Sequence, residues 1–100
     1  MAILVIMESK GDPDRLLEAT KDVARSAGPP QGLLARCVAR TDDGIVLVHV
    51  WESADARSAW HNNPGHQEAL RASGMATLVE GRLVREYETH HVELFPTAEQ

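Results

Sequence analysis

Apolar and polar positions along this chain switch between two periods, and the switches mark its elements. Ile3 to Met7 is an unbroken apolar run rich in β-branched residues, the pattern of a strand covered on both faces. Asp12-Pro13 follows, a helix cap with proline at the first helical position. Leu16, Thr20, Val23, Ala24 and Ala27 then fall on one helical stripe, with Arg15, Glu18, Lys21, Asp22 and Arg25 on the other side. Gly28-Pro29-Pro30 ends that helix. Leu33 to Thr41 and Ile45 to Trp51 read as strands joined at Asp43-Gly44, a pair that favours a type I′ hairpin. Ser53 caps a helix beginning at Ala54. Asn62-Asn63-Pro64-Gly65 interrupts it, and Asn63 can cap a new stretch that runs to Ser73 and stops at Gly74. Gly74 to Gly81 is expected as a loop or short helix, and Arg82 to Leu94 as a long, polar last strand.

The order strand, helix, strand, strand, helix, strand predicts an α+β, ferredoxin-like βαββαβ domain: a four-stranded antiparallel sheet with both helices on one face. With Asp43 and Gly44 as the loop, Ala35, Cys37, Ala39, Val46, Val48 and Val50 share one face of the hairpin. Leu34, Arg36, Val38, Arg40, Leu47, His49 and Trp51 share the other, with Arg36 opposite Trp51 in reach of a cation–π contact. The small, uniform face is expected to lie under the helices. The mixed face is then left bare, and a second copy is expected to cover it, giving a homodimer.

One hundred residues make one domain, expected over 1–95 with a short tail at 96–100. The chain has four aromatic residues (Trp51, Trp60, Tyr87 and Phe95), so the core is expected to be largely aliphatic. A formal charge of −5 argues against a nucleic-acid partner, whose phosphates demand a basic face. The single cysteine, Cys37, cannot close an internal disulfide. The run Ala2 to Met7 is too short to span a bilayer and lacks the flanks of a signal peptide, so no membrane partner and a cytoplasmic location are expected.

Trp60 and His66 are the first candidates for chemistry. Counted from Pro64, His66 shares a stripe with Ala69, Leu70 and Ser73 and points toward the sheet, and Trp60 follows Ala56 by one turn. Two readings stay open. The pair lines an apolar pocket with an indole and an imidazole on its wall, or Trp60 fills the core while His66 satisfies backbone groups freed at the Pro64 break. His49 falls on the expected dimer face and reads as a packed interface histidine. His90 and His91 alternate to opposite strand faces, and His61 and His66 straddle a helix break, so neither pair has metal-ligand spacing. Cys37 lies among alanines and valines, a setting that raises a thiol pKa and blunts a nucleophile.

Val50-Trp51-Glu52-Ser53, Trp60 and the proline-containing break after it, set in this element order, resemble the antibiotic-biosynthesis-monooxygenase family of dimeric α/β barrels over about Ala2 to Leu94. The resemblance implies a homodimer with one ligand cavity per subunit. It also implies cofactor-independent oxygenation of an aromatic, quinol-like compound, or, in another branch, oxidative haem breakdown. The haem branch uses a first-strand asparagine and a helical histidine. Here the first strand has no asparagine, Ala69 stands near the histidine position and His66 comes one turn early, so no cofactor is expected. For a cofactor-free oxygenase, His66 is the expected base, Trp60 shapes the pocket and Tyr87 is a candidate donor. The competing reading is a non-enzymatic dimer that binds an apolar or aromatic metabolite, or an accessory protein.

Overall fold

The computed structural model describes residues 1–96. Its elements are β1 (Ala2–Lys10), α1 (Pro13–Ala27), β2 (Leu33–Arg40), β3 (Gly44–Trp51), α2 (Ala54–His61), α3 (Pro64–Ser73), the short α4 (Met75–Leu78) and β4 (Gly81–Thr89). The four strands form one antiparallel sheet in the order β2-β3-β1-β4, the ferredoxin-like arrangement. The helix caps lie where the sequence puts them. Asp12 accepts from the backbone N–H groups of Asp14 and Arg15, both at 3.1 Å. Ser53 accepts from Ala56 at 3.0 Å, and Asn63 accepts from His66 at 3.1 Å. Each cap satisfies donors that the first helical turn leaves orphaned. No helix is long and apolar enough to cross a membrane.

The hairpin differs from the two-residue expectation. Arg40 pairs with Ile45 and Arg36 with His49, a register two residues away from the one that Asp43-Gly44 as a tight turn would set. Gly44 belongs to β3, pairs with Lys10 and does not adopt a positive φ; its carbonyl accepts from the Thr41 N–H at 2.9 Å. Its lack of a side chain serves close approach instead, because a Cβ there would overlap the Ser9 carbonyl. The Arg36–Trp51 cation–π pairing is thereby replaced: Arg36 faces His49, and Leu33 faces Trp51 across an irregularity in β2. The last strand ends at Thr89, five residues before the predicted Leu94, and residues 90–96 follow without regular structure. Of the expected tail, 97–100 lie outside the described residues.

The helices lie on the mixed face of the sheet, not on the small, uniform face expected to carry them. Trp51 is 2% exposed and Ile45 1%, and with Val5 and Ser9 they form the buried side of the sheet. Ala35, Cys37, Ala39, Val46, Val48 and Val50 therefore lie on the bare side, joined there by Leu4, Ile6, Leu83 and Tyr87. Helices crossing a pleated sheet leave deep gaps, which take large side chains; a flat surface of valines and alanines suits another sheet. The core cluster is Leu16, Ala19, Ile45 and Met75, with Val38, Leu47 and Leu78 against it. α4 supplies Met75 as its cover. Trp51 is the largest fully buried side chain, so the core is less purely aliphatic than composition suggests.

Candidate functional site

The helix-facing side of the sheet reads, across β2, β3, β1 and β4, as successive rows: Arg36–His49–Val5–Glu86, then Val38–Leu47–Met7–Val84, then Arg40–Ile45–Ser9–Arg82. The helices do not fill the space above these rows. A cavity of about 120 Å³ remains, partly open to solvent on one side. Met7, Leu47, His49 and Trp51 line it from the sheet, Val23 and Ala24 from α1, Trp60 and His61 from the end of α2, and His66 and Leu70 from α3.

Trp60 and His66 come together as the sequence suggested. Their ring centroids are 4.7 Å apart at an interplanar angle of 33°, a tilted stack. The Asn63 cap that starts α3 fixes the first turn on which His66 stands, and so positions this imidazole. His61 meets His66 edge-on at 6.3 Å, and His49 meets Trp51 edge-on at 6.1 Å. The reading in which His66 uses its ring to satisfy backbone groups is not what the structure shows. Its Nδ1 is buried and has no hydrogen-bond partner among the described residues, and the same holds for His49 Nε2 and Trp51 Nε1. Three buried polar atoms in one cavity without partners are unusual, because each forfeits its bonds to water.

Tyr87 does not join them. It pairs with Leu4 on the bare side of the sheet and is 51% exposed, so its candidacy as a donor in this chain's own cavity is corrected. Five further lining residues were not expected there from the sequence. His49 was assigned to the opposite side, and Arg36, Arg57, Arg82 and His61 were given no role there, yet all line the cavity. Choosing the large-residue face as the helix-covered one would have recovered Arg36 and His49 together.

The electrostatics are one-sided. Burial, and after it the charges of Arg36 and Arg57, push His49 down to about 4; the neighbouring His61 and His66 add to the effect. His66 is lowered by burial, then by His61 and Arg36, and His61 by burial, then by Arg57 and Arg82. All three imidazoles are therefore neutral near neutral pH. Arg57 on α2 is ion-paired with Glu86 on β4, which ties the second helix to the sheet edge. Among the described residues no group of three or more His, Cys, Asp or Glu side chains is gathered as a metal ion would need.

No protein-family model matches this chain, and no curated protein matches it. Solved structures do. One, provisionally described as an antibiotic biosynthesis monooxygenase from Chloroflexus aurantiacus, superposes with a TM-score of 0.76 at 21% identity, over 93% of this chain and 97% of that one. A variant of SnoaB, a cofactor-independent oxygenase from Streptomyces nogalater, gives 0.70 at 17% identity, over 91% and 94%. A dimeric ferredoxin-like protein of unknown function from Thermobifida fusca gives 0.68 at 19% identity, over 89% and 92%. The chain thus has the ferredoxin-like fold of antibiotic-biosynthesis-monooxygenase proteins, and the family resemblance read from its sequence holds at the level of fold.

Proposed function

We propose that the chain forms a homodimer and acts as a cofactor-independent monooxygenase on an aromatic, quinol-like small molecule held in the cavity. The observation that carries this reading is the Trp60–His66 stack with the buried, unpartnered His66 Nδ1. A neutral imidazole in a largely apolar cavity can accept a proton from a phenol or from the activated CH2 of an anthrone. The carbanion or phenolate so formed is electron-rich enough to reduce oxygen. For an anthrone, one oxygen atom becomes the new carbonyl and the other leaves as water with the two hydrogens of the CH2, so atoms and electrons balance without a redox cofactor. Trp60 supplies the flat wall for the ring. That SnoaB, of the same fold, is a cofactor-independent oxygenase supports the assignment.

The dimer follows from the bare face. Its rows run Ala35–Val50–Leu4–Tyr87, Cys37–Val48–Ile6–Arg85 and Ala39–Val46–Glu8–Leu83 from β2 to β4. Small side chains occupy the β2 edge and large ones the β4 edge, with Leu83 and Tyr87 each about half exposed. A two-fold contact places one copy's large edge against the other's small edge, so the taper is self-complementary. Tyr87 is an interface residue in this arrangement. The lone thiol of Cys37 fits a cytoplasmic setting.

The test is oxygen consumption with an anthrone or quinol, with and without His66→Ala. Loss of turnover in the variant supports His66 as the base, and equal rates eliminate it. Binding of the aromatic compound without any oxygen uptake leaves a small-molecule-binding dimer instead.

A further inference from the structure

The chain carries fifteen acidic and ten basic residues, yet among the described residues no Asp or Glu lines the cavity, while Arg36, Arg57 and Arg82 do. Arg57 is compensated by Glu86. Arg36 and Arg82 have no carboxylate partner among the described residues; the one side-chain bond of Arg82 is to Ser9 Oγ, at 3.4 Å. Arg36 stands directly across the strand pair from His49. The charge of Arg36 acts on both His49 and His66, and three residues of the same lining carry buried atoms without partners among the described residues: His49 Nε2, His66 Nδ1 and Trp51 Nε1. The indole N–H is a donor, and either imidazole nitrogen becomes one by choice of tautomer. A net-negative protein has therefore placed uncompensated cations and idle donors around one apolar cavity.

We propose that the cavity selects an aromatic ligand bearing an oxyanion, either an aryl carboxylate or an ionised phenol, with the anion against Arg36 and the donors of His49, His66 and Trp51. Arg82 adds positive potential from the opposite edge of the sheet. Trp60, Leu47 and Leu70 take the ring. This deepens the function proposed above and rests on its premise that the cavity binds an aromatic molecule. Arg36 is exposed where it borders the cavity, and an arginine–oxyanion contact there is charge-assisted and stronger than a neutral hydrogen bond. The cationic wall also favours ionisation of a bound phenol, which eases the demand on a weakly basic imidazole.

The experiment compares 2-naphthoate with its neutral isostere 2-naphthamide by fluorescence titration on the full chain, and follows 4-nitrophenol by the absorbance of its ionised form. We expect naphthoate to bind about tenfold or more tighter than naphthamide, or bound nitrophenol to shift toward phenolate. The first outcome identifies the carboxylate source and the second the phenolate source. In Arg36→Gln naphthoate loses more affinity than naphthamide and the preference shrinks by about tenfold; in Arg40→Gln, whose side chain pairs with Asp14 outside the cavity, it persists. Equal binding of naphthoate and naphthamide with no shift of nitrophenol, a preference unaffected by Arg36→Gln, or no binding of any probe overturns the proposal. Anion preference without oxygen uptake refutes the oxygenase and leaves this inference standing; oxygen uptake without anion preference does the reverse.

Discussion

Replacing His49 with glutamine should make folding less sensitive to acid, and the size of the effect follows from its surroundings. In the unfolded chain this imidazole titrates near 6.5, and in the folded protein at about 4. Between those values the unfolded state holds the proton more tightly, so stability falls as pH drops through this window. Above the window His49 contributes no pH dependence; below about 4 both states are protonated and the loss is complete. At about pH 5, the difference corresponds to about 2 kcal/mol, and screening of a ring that water partly reaches trims this to about 1 to 2 kcal/mol. The assay is urea unfolding of wild type and His49→Gln at about pH 7.5 and about pH 5, at one fixed protein concentration because a dimer's stability depends on it. Every other titrating group is common to both proteins, so the difference of differences isolates His49. Wild type should lose about 1 to 2 kcal/mol more than the variant over this range. Equal losses would refute the placement of His49 as a buried imidazole crowded by Arg36 and Arg57.

Three further outcomes are expected. Gly44→Ala should destabilise the fold by about 2 kcal/mol or more in urea unfolding, since the new Cβ meets the Ser9 backbone across β1 and β3 rather than a side chain able to move; unchanged stability would show that the strand pair is looser than described. Asn63→Ala removes the cap of α3 and should cost about 1 kcal/mol in thermal unfolding while weakening naphthoate binding, because His66 stands on that turn; a stability loss with intact binding would separate the cap from the site. Val48→Arg, at the centre of the bare face between Cys37 and Ile6, should convert the dimer to a monomer by light scattering without unfolding it; a persistent dimer would place the interface elsewhere.

What the sequence made legible was local. The caps at Asp12, Ser53 and Asn63 and the stop at Gly74 each satisfy backbone groups within a few residues of themselves, so short-range pattern suffices to find them. Period-two alternation sorts the hairpin residues into two sets that hold from Ala35 onward, while Leu34 falls at the irregularity in β2 and Leu33 takes the place opposite Trp51. It could not say which set meets the helices, because alternation is symmetric about the sheet plane. The hairpin register differs for a related reason: Asp43-Gly44 matches a turn preference, but Gly44 is needed where β3 presses on Ser9, a residue 35 positions earlier that it meets only once the sheet is assembled. The expected end of β4 lies too far along because His90 to Leu94 alternates like a strand; the ladder with β1 ends at the Ala2–Thr89 pair. Trp60 and His66 were found because both follow helix caps whose phase is readable. Arg57 and Arg82 were not, since a lone arginine carries no sequence signal of what it faces.

Reversing the faces changes what each set of residues is for. On the helix side, side-chain size varies sharply from row to row, with Trp51 and Ile45 buried while His49 leaves its Nε2 unpartnered, and this unevenness creates a cavity where two layers could otherwise close. On the bare side, size varies smoothly from Ala35 and Ala39 at one edge to Tyr87 and Leu83 at the other, a gradient that suits a second sheet and leaves little room for a ligand. Had the valine face carried the helices, the cavity would have been shallow and its histidine and arginine would have been spent in an interface. On the function proposed above, association and ligand recognition fall on opposite sides of the same strands, and β3 divides by parity: Leu47, His49 and Trp51 line the cavity, while Val46, Val48 and Val50 lie on the bare face.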